Sequence, residues 1–371
     1  MVVALKVPLY PTREQAELFH KMANIYHNLK NKAVDYIKNY DNYVSEKDLR
    51  QYLISTYSGD LPISFIANLV AKEKIAARIA HGFSKLRFQR YSDSHKAFPV
   101  RCDSNANRLS RVYSDDFEYI KIPSIKGLIK MSRLWVNKMK RKFSLDILNC
   151  KKQTARVTYD GKYWYLVFTY NIAKPSIDLE DKNIGVDVGI KHLAVTSDNE
   201  VFDNVDTIKL ERKQKKLQRA ISNKYRQNKS YDKTQNIIRL EHKLYLITRK
   251  ITNIRENNLH HISKYLVDKH YKTISFETLN IRCMLKNKHL APKIRKQCWY
   301  KLMQYTRYKA EFYGEVFRQI GRFKPSSKTC SNCGSIKKDL KLSDRIYVCS
   351  NCGLVIDRDF NAAINIRDFD N

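Results

Sequence analysis

A chain of 371 residues is long enough for two or three domains, and 70 Lys and Arg against 37 Asp and Glu leave it at +33. Self-repulsion on that scale opposes compaction and calls for a polyanionic partner. With 43% hydrophobic and 11% aromatic residues, and only 10 Gly and 8 Pro, the composition supports packed cores and excludes a disordered basic tail. No apolar run reaches the roughly 18 residues of a membrane span, and Lys6 and Pro8 within MVVALKVPLYP read against a secretory signal. A cytoplasmic protein is expected, nucleoid-associated in a prokaryote, with no membrane partner.

In chain order, Val3, Leu5 and Val7 alternate as in a half-buried strand. Thr12 and Gln15 have capping-box spacing, and Leu18, Met22, Ile25, Leu29 and Ala33 predict an amphipathic helix over 13–40. Helix continues to about 92, most clearly in IANLVAKEKIAARIAHGFSKL, and 92–118 is polar and irregular. EYIKIPSIKGLIKM brings strand signals back, and TARVTYDGKYWYLVFTY predicts a hairpin turning on a type I′ pair, Asp160-Gly161. With the first strand these suggest a small β-barrel split by a helical insertion. NIGVDVGIKHLAVTSDNEVFDN is a second β unit. Two long helices follow, the second carrying Ile237, Leu240, Leu244, Ile247, Ile251 and Ile254 as a helix–helix seam. YKTISFETLN reads as a short buried strand, and FNAAINI as a last helix.

Four of the eight cysteines form Cys330-x-x-Cys333 and Cys349-x-x-Cys352, fifteen residues apart. Each turn directs two thiolates to one ion, so the set predicts a closed, structural Zn²⁺ site of the zinc-ribbon type. The acids are informative because they are scarce. Asp187 lies inside the apolar IGVDVG and Glu277 at the end of ISFETLN, while Asp357 and Asp359 flank Arg358 ahead of the last helix. A carboxylate in an apolar strand is costly unless something holds it. Taken singly, each acid could cap a helix or pair with a lysine. As a set, three acids arriving from two strands and a helix start would cradle divalent cations, as two-metal phosphodiester hydrolysis requires. KMKRKF (Lys138, Lys140, Arg141, Lys142) and KQKKLQRA (Lys213, Lys215, Lys216, Arg219) read as phosphate-contacting surface, with 24 Tyr available to stack on bases. Neither a Ser-His-Asp pairing nor a Walker-type glycine loop is present.

In this order, GVDVGIKHLAVTS, FETLNI, SSKTCSNCG, VCSNCG and DRDFNAAINI resemble the TnpB family of insertion-sequence proteins, RNA-guided DNA endonucleases related to the type V CRISPR effectors. LYPTREQ after the first strand is similar to the family's N-terminus, and IKIPSIKGLIK to its segment ahead of the nuclease. The resemblance is dense over 183–366 and patchy before that. It implies a multidomain α+β chain: a RuvC-like (RNase H-type) α/β nuclease with a zinc-ribbon insertion, preceded by a β-barrel wedge domain with an inserted helical recognition domain. The implied division is 1–12 and 119–180 for the wedge, 13–118 for recognition, 181–325 and 357–371 for the nuclease, and 326–356 for a zinc-ribbon module that binds target nucleic acid. Asp187, Glu277 and Asp359 fall on the family's catalytic acids, with two Mg²⁺ ions implied, and Arg345 on a basic residue that contacts the scissile phosphate. The implied partners are a guide RNA derived from the element and target double-stranded DNA beside a short duplex motif. A miniature type V CRISPR effector carries the same chemistry. A non-cleaving zinc-ribbon DNA-binding regulator or transposition accessory protein is the alternative from another class.

Overall fold

The computed structural model describes residues 2–40, 44–90, 96–100, 119–122, 125–134, 137, 152–171, 174–228, 233–321, 324–341 and 344–369. The chain divides into two compact units, Met1–Ala173 and Lys174–Asn371, and each mixes helix with sheet. No helix among the described residues is long and apolar enough to cross a membrane.

The first unit is built on a six-stranded antiparallel sheet. Its strands are β1 (Val2–Tyr10), β2 (Lys96–Val100), β3 (Tyr119–Ile120), β4 (Ile129–Met131), β5 (Lys152–Tyr159) and β6 (Trp164–Asn171), in the order β2-β5-β6-β1-β4-β3. β1 therefore pairs with strands more than a hundred residues downstream: Leu5 opposes Phe168 and Leu9 opposes Met131. Three helices, α1 (Arg13–Asn39), α2 (Glu46–Ser55) and α3 (Ser64–His81), lie between the first two strands in sequence. The expected capping box is present: the Thr12 hydroxyl accepts from the Gln15 amide at 3.3 Å, and the Gln15 side chain accepts from the Thr12 amide at 3.0 Å. Phe19 on α1 packs against Phe98 and Trp164, so one helix face and the sheet share a core with Leu5, Val7 and Leu9.

The predicted β5–β6 hairpin forms, but its turn differs from the expected type I′ pair. Tyr159 opposes Trp164, which leaves a four-residue loop, Asp160 to Tyr163. Only Gly161 in it has a positive φ, +81°, whereas type I′ needs two such residues. The Asp160 carboxylate accepts from the Lys162 and Tyr163 amides at 3.2 and 2.9 Å, an Asx arrangement that stabilises the longer loop.

The second unit holds a five-stranded mixed sheet in the order β11-β10-β7-β8-β9. Its strands are β7 (Glu180–Asp187), β8 (Ala194–Thr196), β9 (Val201–Phe202), β10 (Tyr271–Phe276) and β11 (Val316–Gln319). β7, β10 and β11 run parallel, β8 pairs antiparallel with β7, and β9 pairs antiparallel with β8. The long helices are α4 (Ile208–Gln227) and α5 (Gln235–Val267). Gln214 donates to Thr248 and Tyr225 to Glu241, so the two run antiparallel, with Ile237 and Ile251 of the predicted seam buried. Two short helices, α6 (Ile281–Met284) and α7 (Ala291–Gln297), lead to α8 (Trp299–Tyr313). Leu259, Ile262 and Leu266 of α5 and Trp299, Leu302 and Met303 of α8 close the core over Ile184, Val186, Ile274 and Phe276. A small antiparallel pair, β12 (Ile346–Val348) and β13 (Val355–Asp357), runs directly into the last helix, α9 (Arg358–Asp368).

Between α8 and β11 the Glu315 side chain is fully buried, with Oε1 3.4 Å from His270 Nδ1. Burial, and then the Asp268 carboxylate, push its pKa up to about 8. Because the folded value lies above the ordinary 4.5, the stabilisation linked to this proton is complete at low pH and is lost as pH rises through about 8. Glu315→Gln should therefore flatten the fall in melting temperature between pH 6 and 9, gaining about 1 kcal/mol at the alkaline end. Parallel melting curves for parent and variant would contradict this.

Candidate functional site

Parallel pairing brings the first two acids together. Val186 of β7 opposes Phe276 of β10, so Asp187 and Glu277 follow side by side at the carboxyl ends of adjacent parallel strands. That edge is where open α/β sheets bind ligands. Asp187 is buried, only 8% exposed, among apolar neighbours. Burial, then the Glu277 and Asp359 carboxylates, hold its pKa well above the usual carboxylate range, against a smaller opposing pull from Arg358. Glu277 is raised to about 7, mainly by burial, with Arg358 opposing and Asp359 adding to the rise.

The third acid comes from α9. Asp357 caps this helix, its carboxylate accepting from the Asp359 and Phe360 amides at 2.9 and 3.1 Å. Asp357 thus holds the turn, while Asp359 projects from the first helical turn, where a carboxylate complements the helix dipole. Arg345 Nη1 lies 3.8 Å from Asp359 Oδ2. The Arg358 guanidinium reaches toward the Lys341 and Asp344 carbonyls, and its amide donates to the Arg345 carbonyl at 2.8 Å.

Two supports of this edge were not legible as motifs. At Gly185 a Cβ would lie 2.0 Å from the Ala363 carbonyl oxygen and 2.5 Å from the Arg367 nitrogen, so only glycine lets α9 cross β7 this closely. After Asp187, the Gly189 carbonyl accepts from Trp299 Nε1 at 3.2 Å and the Ile190 carbonyl from Gln297 Nε2 at 3.0 Å.

The four cysteines come together as their spacing predicts. Cys330 Sγ lies 3.6 Å from Cys352 Sγ, and Cys333 Sγ lies 3.6 Å from Cys349 Sγ. Sulfurs about 2.3 Å from a tetrahedral ion stand roughly 3.8 Å apart, whereas a disulfide needs about 2.05 Å. The donor set therefore fits zinc and no disulfide forms. The two knuckles repeat one backbone design. Gly334 donates to the Cys330 carbonyl and Gly353 to the Cys349 carbonyl, at φ +72° and +71°. Hydrogen bonds from Ser335 and Asn351 lower the Cys333 thiol to about 5, favouring the thiolate a metal needs, while burial raises Cys330 to about 11. Asn361 and Asn365, one turn apart on α9, tie the loop to that helix. Both donate to the Thr329 carbonyl at 2.7 Å, Asn365 also donates to the Ser326 carbonyl, and Asn361 Oδ1 accepts from the Ser331 amide.

Among the described residues the cysteines are the one group of three or more His, Cys, Asp or Glu whose ligand atoms all lie within 4.8 Å of one another. The three carboxylates are neighbours at a wider spacing. Cys333→Ser should drop bound zinc from about one per chain to a small fraction, because structural zinc contributes on the order of 10 kcal/mol to its loop. Protease cutting within 326–356 should rise with it. Metal analysis finding no zinc in reduced, folded parent protein would contradict the assignment.

Of the predicted basic surface, Lys213, Lys215, Lys216 and Arg219 are all exposed on α4. Lys138, Lys140, Arg141 and Lys142 lie outside the described residues.

Residues 170–288 match the family model described as "Probable transposase" (OrfB_IS605), and residues 299–366 match "Cas12f1-like, TNB domain". A Streptomyces pristinaespiralis protein named "Putative RNA-guided DNA endonuclease" is 35% identical over 184 residues, 49% of this chain and 44% of the relative. The "TnpB-like protein L79" of Acanthamoeba polyphaga mimivirus is 30% identical over 230 residues, 58% of this chain and 42% of the relative. The chain spans less than half the length of these two relatives. Among solved structures, that of the Cas12f1-sgRNA-target DNA complex is similar in fold, with a TM-score of 0.60 at 15% identity, covering 96% of this chain and 83% of that one. The resemblance to the TnpB family is borne out by these matches, and the mixed α/β fold is shared with the Cas12f1 structure.

Proposed function

We propose that the chain is an RNA-guided DNA endonuclease of an insertion sequence, and that Asp187, Glu277 and Asp359 are its catalytic acids. The observation that carries this reading is the meeting of three carboxylates, two of them raised in pKa, at the carboxyl ends of two parallel strands and the start of α9 in a chain at +33. Mutual repulsion and burial leave these groups in need of a positive partner, and an all-oxygen donor set suits a hard divalent cation. Mg²⁺ bound there supplies charge stabilisation for the attacking and leaving oxygens of phosphodiester hydrolysis. The chain's own groups do the remaining work. Asp187 and Glu277 offer oxygens from rigid strand ends, Asp357 fixes the turn that presents Asp359, and Arg345 stands where a scissile phosphate would approach.

On this reading, residues 181–325 and 357–371 form a RuvC-like nuclease and 326–356 a zinc-ribbon module for target nucleic acid. Residues 1–12 and 119–180 form the wedge, and 13–118 the recognition domain. A guide RNA pairs with the target strand, while the protein reads a short duplex motif and the shape of the heteroduplex. The exposed cations of α4 contribute phosphate contacts. The test is cutting of guide-matched DNA carrying the adjacent motif, using chain copurified with its RNA. Cutting should require Mg²⁺, stop in EDTA and stop in Asp359→Ala, while Asp357→Ala loses only part of it. Full cutting in EDTA would overturn the metal reading. Unchanged DNA binding with no cutting under any metal would favour the non-cleaving regulator.

A further inference from the structure

The first unit contains a cavity of about 160 Å³ between α1, residues 89–90, and strands β2 and β5. Sites for small-molecule substrates usually measure about 300–1,000 Å³, so this one is sized for a single compact group with a few attached atoms. Its lining is one-sided in charge. Lys30, Arg90, Lys96 and Arg156 reach it together with His27, and no acid lines it among the described residues.

The floor is built. Lys30 is 7% exposed, with its ammonium 4.3 Å from the Tyr26 ring centre. One carboxylate, Glu73 of α3, holds both from behind, 3.3 Å from Lys30 Nζ and accepting from the Tyr26 hydroxyl at 3.3 Å. The rim is fixed as well, since Asn31 Oδ1 accepts from the Gln89 amide at 2.7 Å and Asn31 Nδ2 donates to the Gln89 carbonyl at 3.0 Å. That two-point clamp sets where Arg90 enters. Burial and the nearby Lys30 lower the pKa of His27, as expected in a positive field.

Guanidinium forks with ammonium groups around a small fixed cavity match the oxygens of a phosphate group. We propose that this cavity is a binding site for one phosphodiester of a nucleic-acid strand. The strand can be RNA or DNA, since the chemistry is shared. The site extends the nucleic-acid reading above, yet the two can fail separately, because occupancy of the cavity is read without cleavage and without the carboxylates.

The test uses the full chain and fluorescein-labelled 12-nucleotide probes, single-stranded RNA, single-stranded DNA and duplex DNA, with anisotropy measured across salt concentrations. Lys96→Gln, Arg156→Gln and the double variant are compared with the parent, and circular dichroism melting verifies folding. Arg156 is exposed, so its single variant keeps the comparison available if the double variant unfolds. The double variant should bind its strand about tenfold more weakly at 0.15 M salt, with a salt slope reduced by about one phosphate contact. Arg156→Lys should recover part of the loss, because it keeps the charge and loses the fork. Weakening for RNA alone assigns the site to RNA, and weakening for a DNA probe alone assigns it to DNA. Unchanged affinity and slope for all three probes would overturn the proposal. So would protection of the cavity by 10 mM inorganic phosphate with every probe binding as before, which would make it a free-anion site.

Discussion

Asp187→Asn should give a chain that melts higher without metal and no longer cuts DNA. Asparagine has nearly the shape of aspartate but no charge to desolvate, and it ends the repulsion with Glu277 and Asp359 that raises the Asp187 pKa. A group whose folded pKa is raised above its unfolded value costs stability once pH passes into that interval, and neutral pH lies on the costly side. The expected gain is on the order of 1 kcal/mol, typical where a functional site carries built-in strain. Activity moves the other way. Changes one shell removed from a metal commonly cost 10–100-fold, so loss of Asp187 as the proposed direct ligand should cost more than about 100-fold. If the proposed metal reading holds, Mg²⁺ should raise the melting temperature of the parent and not of the variant, since only the parent would bind it in the folded state. A variant that melts lower in EDTA would make Asp187 a structural residue, and one that still cuts would remove it from the chemistry.

Gly185→Ala should damage the same site without touching a carboxylate. The added methyl would meet the Ala363 carbonyl oxygen at 2.0 Å and the Arg367 nitrogen at 2.5 Å. Both are backbone atoms of α9, one at its middle and one in its last turn, and no rotamer change relieves them. α9 must lift from β7, at a cost of about 3 kcal/mol, the upper range for overpacking. Asp359 and the Asn361 and Asn365 tethers lift with it, so cutting should fall sharply and zinc-loop protection should weaken. Gly189→Ala is the control. Its methyl meets only the His192 carbonyl oxygen, at 3.1 Å, and a shift of a few tenths of an ångström accommodates it. Equal melting temperatures for the two variants would show that the close crossing of α9 does not hold the unit together.

The chemistry-bearing groups were legible in the sequence because each broke a local rule. Asp187 interrupts an apolar strand, and the cysteine pairs repeat at metal spacing. Asp357 and Asp359 could be told apart only in the structure, where one carboxylate faces back to the helix amides. Gly185 reads in sequence as one more small residue in a strand, since its role depends on a helix arriving from far along the chain. Asn361 and Asn365 carry a signal that could have been used: two amides four apart on an otherwise apolar helix face mark a buried polar contact. The Asp160-Gly161 turn misled because the dipeptide rule counts φ angles and overlooks the carboxylate, which can bond two amides and lengthen the loop.

The order of the strands also governs when the molecule can work. β1 is made first, yet it waits for β4 and β6 to pair on its two sides. In the second unit Asp187 and Glu277 leave the ribosome well before α9. At about 5–20 residues per second, the chain spends several seconds holding two acids and no third. Long-range pairings of this kind are also slow to form once the chain is free. A nascent or shortened chain that stops before residue 359 has its basic helices and its first two carboxylates but lacks Asp359. On the proposed reading, such a chain would meet nucleic acid without an assembled trio, and the arrival of α9 would be the event that arms it.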